Sequence, residues 1–580
     1  LAAGFKAPRT IYRKWAHHSQ GEFCILYSMS QDAMISRKDV LKGLVLGLGG
    51  LAVPSLGLAA WQNPAPASSS AITLDDLKSF AKIAGLKMTD EELNQVLDEV
   101  RQAPAGYAML RTQPPANGLQ PSSVFRVPGV SPDPRPRISV RVSSGPMLSN
   151  PSDEDLAFAT VAELGALLRA KEVTSVQLTR LALNRMKRWG EPLKCVVALL
   201  EERALQQAER LDAESRAGKW RGPLHGIPYG LKDLFSARGA PTQWGTAAFQ
   251  GQIIDQDAAV VEKLEAAGAI LVAKVSLGAL AMNDNWFGGR TKNPWNPTQG
   301  SSGSSAGSAC SVAAGLVPFA IGTETSGSIV SPSHRCRVVG FRPTFGSVSR
   351  HGAMALSWSM DKVGPICRSA EDPALVLAAL LGADPRDPGS VSRSFVYAPR
   401  KDLKGQKWGL LGRPDPKAQS LLEAAGVQFQ PWTAPPLNPA LGAIIACEAA
   451  AVFDEITRNG RLSLVTENEW PQIFRAARFV PAVEYLQLER ARTLLIQAYS
   501  KAFEGLDGVL APDHAVATIY PMNLAGFPQL LLPWGANDRG TEQSVSLLGS
   551  PLSEPNLIAA GALLQRSTDF HRRRPDLTKI

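Results

Sequence analysis

One lysine and two serines stand where they could form a hydrolytic site that uses no histidine. Lys232 nearly closes the run Gly226-Ile-Pro-Tyr-Gly-Leu-Lys232-Asp233. Ser304 lies in the serine-rich stretch Gly300-Ser-Ser-Gly-Ser304-Ser-Ala-Gly-Ser308-Ala309, and Ser328 ends Gly322-Thr-Glu-Thr-Ser-Gly-Ser328. A serine hydroxyl is a weak nucleophile until a base takes its proton, and a lysine can serve when it is neutral. Burial disfavours the ammonium and lowers its pKa; Lys232 follows an apolar stretch at a strand-to-loop boundary. The small residues ahead of Ser328 let the chain turn sharply, so successive N–H groups can converge on one point and hold an oxyanion. Each segment also has an ordinary reading. Lys232-Asp233 could be a surface ion pair, Ser304 a helix N-cap, and the Gly/Ser-rich turn a plain loop.

The elements that must position these residues follow from the patterning. From Asp153 onward, apolar residues recur at helical spacing through Leu156, Val161, Leu164 and Leu168, and again through Val176 to Leu183. Pro223 to Leu231 reads as a strand entering a loop, Ala258 to Ala267 as a helix, and Ala269 to Ala273 as a strand. Ser311 to Gly315 continues a helix out of the serine-rich loop, and Leu316 to Ile321 reads as a buried strand. Alternation of this kind predicts an α/β sheet with helices on its faces. Upstream, Thr73 and Thr89 each begin a capping-box pattern, predicting helices over 74–84 and 89–102. Residues 111–150 are proline-rich and should wrap over a surface rather than form core.

With 44% hydrophobic and 19% charged residues the chain can bury a sizeable core. A net charge of +9 is mild for 580 residues. The one basic cluster, His571-Arg-Arg-Arg574, reads as a solvated terminus, so no nucleic-acid partner is expected. The six cysteines are widely spaced with no CxxC, and the seven histidines lack metal-ligand spacing. Neither a metal nor any other cofactor is expected.

In order along the chain, these segments resemble the amidase signature family. Its Gly-Ile-Pro-x-x-x-Lys-Asp motif is matched by residues 226–233, its glycine/serine loop by Ser302 to Ala309, and its Gly-Thr-Asp-x-Gly-Gly-Ser-Ile by residues 322–329. Flanking segments agree: Asn293-Pro-Trp295, Val339 to Gly346, Ser359-Met-Asp-Lys-Val-Gly-Pro365, Met522 to Pro528, Pro533-Trp-Gly535 and Thr568 to His571. The resemblance spans roughly 152–575 and implies a central mixed, twisted β-sheet covered by helices on both faces, here with an N-terminal helical extension. It implies Lys232 as general base, Ser304 as a relaying serine on a cis peptide, and Ser328 as nucleophile. The N–H groups of Thr325, Ser326, Gly327 and Ser328 would form the oxyanion hole, and Ser305 would help orient the relay. The implied reaction is hydrolysis of a small-molecule amide through an acyl-enzyme. Pocket residues would come from distant segments, around 282–297 and 440–495.

This chain departs from the family at Glu324 (usually aspartate), Ser326 (usually glycine), Val330 (usually arginine) and across His334-Arg-Cys-Arg337, where small or apolar residues are usual. These bear on local support and the substrate mouth. Two other readings share the resemblance: a glutamyl-tRNA amidotransferase A-like subunit, and a catalytically impaired amidase-like binding protein. Residues 72–102 resemble the helical small subunit of the amidotransferase system. A homodimer is left open.

The N-terminal region reads as address rather than fold. Residues 1–33 look like an upstream, non-native segment. Within 34–67, Ser36-Arg-Lys-Asp-Val-Leu-Lys42 resembles a twin-arginine signal with lysine in the second basic position. The apolar run 43–60 is rich in glycine and broken by Pro54, a poor spanning helix. Export to the periplasm or outside is expected, with 68–151 as helical hairpin and wrapping segment and 152–575 as the catalytic domain; a cytoplasmic location is the alternative.

Overall fold

Five strands whose residues are buried throughout lie side by side in one large sheet. They are Pro228–Lys232, Ile270–Val275, Phe319–Glu324, Val339–Arg342 and Lys362–Cys367. A strand with no exposed side chain is covered on both faces. The computed structural model describes residues 72–580, apart from 87, 95–96, 99, 102–116, 119–124, 128–130, 144–147, 479 and 538–539. The expected upstream and export segments lie outside the described residues.

The sheet has 11 strands. In chain order they are β1 (Val196–Leu199), β2 (Pro228–Lys232), β3 (Ile270–Val275), β4 (Phe319–Glu324), β5 (Val339–Arg342), β6 (Lys362–Cys367), β7 (Lys407–Leu411), β8 (Gln428–Trp432), β9 (Gly508–Pro512), β10 (Gln529–Ala536) and β11 (Glu542–Leu548). Across the sheet the order is β8-β7-β9-β11-β10-β5-β6-β4-β2-β3-β1. Pairing is mixed: β2 runs parallel to β3 and to β4, whereas β4 and β6 are antiparallel. The mixed sheet with flanking helices is the expected fold class.

Local chemistry sets the helix starts. Ser152, Thr160 and Thr174 each cap a helix with a reciprocal side chain three residues on, Asp155, Glu163 and Gln177. The two upstream caps form as expected. Thr73 caps Leu74–Ile83, and Thr89 exchanges hydrogen bonds with Glu92. The expected strand at Leu316 starts instead at Phe319. Gly315 takes φ 64°, the N–H of Leu316 turns back to Ser311 O, and Pro318 has no N–H to give a ladder. The proline-rich stretch does more than wrap. Ile138–Val140 pairs in parallel with Phe395–Tyr397, and Val127 is buried in a cluster with Phe345 and Phe527.

Candidate active site

Parallel neighbours β2 and β4 end side by side, with Leu231 opposite Ile321. Their carboxyl ends therefore bring Lys232 against Thr323. The serine-rich loop leads into the helix Ala306–Ala313, which packs with Val272 of β3 and Ala320 of β4. That approach is close: a Cβ on Gly307 would lie 2.4 Å from Ser276 N, and one on Gly322 would lie 2.7 Å from Ser305 Oγ.

Lys232 is fully buried. Its Nζ donates to Ser304 Oγ at 2.9 Å, Thr323 Oγ1 at 2.9 Å and Ser305 Oγ at 3.1 Å. Burial pushes its pKa down to about 7, against the opposing charges of Asp361 and Glu324. Its sequence neighbour Asp233 is not its partner. Asp233 Oδ1 accepts from Lys274 Nζ at 2.7 Å and Oδ2 from Gln243 N at 2.9 Å, and both partners of that ion pair are wholly buried. Burial pushes the Asp233 carboxyl up and the Lys274 amine down, each against the other's attraction. The surface ion pair suggested by the dipeptide is thus absent, and Lys232 is left facing only hydroxyls and a carbonyl.

The peptide Gly303–Ser304 is cis. Ser305 Oγ bridges Lys232 and Thr323, donating to Thr323 O at 3.1 Å, and Ser305 N donates to Ser328 O at 3.0 Å. The hydroxyls of Ser304 and Ser328 share no hydrogen bond among the described residues. Beyond β4 the chain turns through Thr325 to Ser328, and Gly327 takes φ 90°. The N–H groups of Thr325, Ser326, Gly327 and Ser328 donate to no acceptor among the described residues. Four consecutive N–H groups are thus left available to an acceptor from outside the chain.

Two buried carboxylates hold this turn. Glu324 Oε2 accepts from Ile329 N at 2.8 Å and Val330 N at 2.9 Å, while Oε1 takes Arg342 Nη1 at 2.5 Å and Asn523 Nδ2 at 2.8 Å. Burial opposes its charge, yet Arg342 and these donors hold the carboxyl below its ordinary value. Asp361 accepts from Thr325 Oγ1 at 2.6 Å, Leu356 N at 2.8 Å and Ser357 N at 3.0 Å; burial pushes its pKa up. Thr323, Lys274 and the supporting roles of Glu324, Arg342 and Asp361 escaped sequence reasoning. Asp361 had a signal in the Ser359 to Pro365 motif.

Ser328 opens on a cleft of about 560 Å³, lined also by Ser302, Gly303, Thr325 and Ser326. Met282 to Asn285, Arg290, Ile445 and Trp470 join it from the two distant segments expected to do so, with Ala281, Ser331, Arg335 and Leu356 in addition.

Comparison with known proteins settles the family. The Amidase profile matches residues 177–518, more than half of the chain. The chain belongs to the amidase signature family. Its relatives include an amidase of Pseudomonas putida, 32% identical over 72% of this chain and 98% of its own length. A glutamyl-tRNA(Gln) amidotransferase subunit of Cyanothece sp. is 32% identical over 72% of this chain and 100% of its own length. Among solved structures, the native peptide amidase of Stenotrophomonas maltophilia aligns with TM-score 0.63 at 30% identity, covering 72% of this chain and 98% of that one. The protein is a hydrolase of amide C–N bonds.

Within that family the departures now have physical content. Ser326 takes no positive φ, so the strained position falls on Gly327 and a side chain is tolerated. Val330 is buried with Ile519 and Leu531. Glu324 holds the turn through Oε2 and is anchored to Arg342 through Oε1, and Arg335 reaches the cleft wall.

Proposed function

We propose that Lys232, Ser304 and Ser328 act as base, relay and nucleophile in hydrolysis of a small amide. The observation that carries this is the buried Lys232 amine, which has a pKa of about 7 and holds Ser304 at hydrogen-bond distance. Neutral Lys232 takes the Ser304 proton and Ser304 takes that of Ser328, once a serine hydroxyl rotates to close their contact. Ser328 Oγ bonds to the carbonyl carbon, and the oxyanion settles on the N–H groups of Thr325, Ser326, Gly327 and Ser328. The relay then runs back to protonate the nitrogen, the C–N bond breaks, and the amine or ammonia leaves. Water, deprotonated by the same relay, cleaves the acyl ester and frees the acid. Ser305, bound to both Lys232 and Thr323, keeps the amine aligned.

Labelling the intact protein with a fluorophosphonate, beside Ser328→Ala, tests this reading. Wild type is expected to take the label at Ser328, and the variant to lose on the order of 10⁴-fold or more in kcat. A wild type that takes no label and hydrolyses no amide in a broad panel refutes it. The Cyanothece relative favours a second reading, in which the same relay releases ammonia from glutamine inside an amidotransferase. Glutaminase activity appearing only with copurifying partner chains would select it.

A further inference from the structure

The active-site cleft has two unlike kinds of lining. Met282, Leu356, Ile445 and Trp470 supply apolar surface, while Arg290 and Arg335 bring two guanidinium groups to the same cleft. Arg335 ends the helix Val330–Arg335, which starts just past Ser328. Arg290 sits on the short strand Gly289–Arg290, paired with Asn285–Trp286.

Donors and acceptors in this cleft do not balance. Two nearby carboxylates each pair with an arginine. Asp284 Oδ1 accepts from Arg290 Nε at 3.2 Å and Oδ2 from Ser302 N at 2.9 Å, and Glu542 pairs with Arg335 at 2.5 Å. The guanidiniums keep donors beyond those pairs. Arg335 Nη1 reaches Gln299 Oε1 at 3.3 Å, but Arg335 Nη2 and both Nη atoms of Arg290 donate to no acceptor among the described residues. A guanidinium offers donors only. After these ion pairs are made, the two guanidiniums still hold Nη donors without protein partners, a set that can meet an anion. The planar fork of arginine suits a carboxylate better than a point charge would.

We propose that the substrate is an amide that also carries a carboxylate, with Arg335 as the specificity-determining residue and Arg290 as a second donor. The remainder of the molecule packs against Met282, Leu356, Ile445 and Trp470, so N-acyl amino acids are the fitting class. The inference rests on Ser328 being the nucleophile of this cleft.

Binding separates the two claims. With the Ser328→Ala protein, N-octanoyl-leucine and its methyl ester are titrated by calorimetry. The free acid should bind about tenfold tighter or more. That ratio should fall to about threefold or less in Ser328→Ala/Arg335→Gln and lie between the two in Ser328→Ala/Arg335→Lys, which keeps the charge but loses the fork. Arg335→Gln leaves the buried Glu542 without its partner, so Ser328→Ala/Arg290→Gln, altered at a side chain 59% exposed, serves as the second variant and should lower the ratio too. Equal affinity for acid and ester, or a ratio that neither arginine variant moves, overturns the proposal. A preserved binding preference in a wild type that hydrolyses neither compound would support the carboxylate site and sink the nucleophile assignment instead.

Discussion

Lys232 carries an amine that burial makes easier to deprotonate. An ordinary lysine would be almost wholly ammonium at neutral pH, because its usual pKa is 10.5. At about 7 the neutral, proton-accepting form is half populated at physiological pH. The direction of the pH effect follows. Below the pKa the amine is protonated and cannot take the Ser304 proton, so kcat/KM should fall about tenfold per pH unit on the acid side and level off above about 8. A pH profile of kcat/KM on any turned-over amide checks this. A limb still rising between about pH 9 and 10 would mean that Lys232 keeps an ordinary pKa and would remove it as the resting base.

At the scale of elements, the site is a product of strand adjacency. Lys232 and Ser304 are 72 residues apart, and Lys232 and Thr323 are 91 apart. Their contact exists because β2 and β4 run parallel and the helix Ala306–Ala313 begins over their ends. The motifs pointed to Lys232, Ser304 and Ser328, since small residues and serines at fixed offsets are local features. Local patterning could not show that Asp233 would turn away to Lys274 or that Thr323 would complete the lysine's shell. Both follow from which strands become neighbours. The strand after the serine loop was misplaced at its start because Gly315 and Pro318 extend the turn, an effect that apolar character alone conceals. The segment Leu356–Asp361 is a second device at this scale: Asp361 ties it to Thr325 in the oxyanion turn, and its charge also opposes the lowering of the Lys232 pKa. Asp361→Asn should therefore act twice. Loosening Thr325 should lower kcat by roughly tenfold to a hundredfold with KM less affected. Removing the negative charge should let burial lower the Lys232 pKa further, moving the acid limb of the profile to lower pH. A kcat loss with the limb unmoved would show that Asp361 acts on the turn alone.

The whole molecule is held around this site by ion pairs that water does not reach. Arg342–Glu324, Lys274–Asp233 and Arg393–Glu554 are all buried, with side chains no more than 2% exposed. The first two adjoin Lys232 and the turn before Ser328, so their loss would confound the proposed chemistry with stability. Arg393–Glu554 is separable from both. Glu554 starts the helix Glu554–Arg566, accepts both Nη groups of Arg393 at 2.7 and 3.0 Å, and also takes Thr344 N at 2.9 Å. One side chain thereby joins the last long helix to two loops that follow β5 and precede β7. Burying a charge costs several kcal/mol unless a partner offsets it, so removing one partner is worse than removing both. Glu554→Ala should cost about 3–5 kcal/mol, read as a lower apparent unfolding temperature at a fixed scan rate. Arg393→Met/Glu554→Met, which leaves no charge behind, should recover most of that loss even though Thr344 N loses its acceptor. A single variant as stable as wild type, or a double variant less stable than the single, would show that the pair is only incidental to the packing between the helix and these loops.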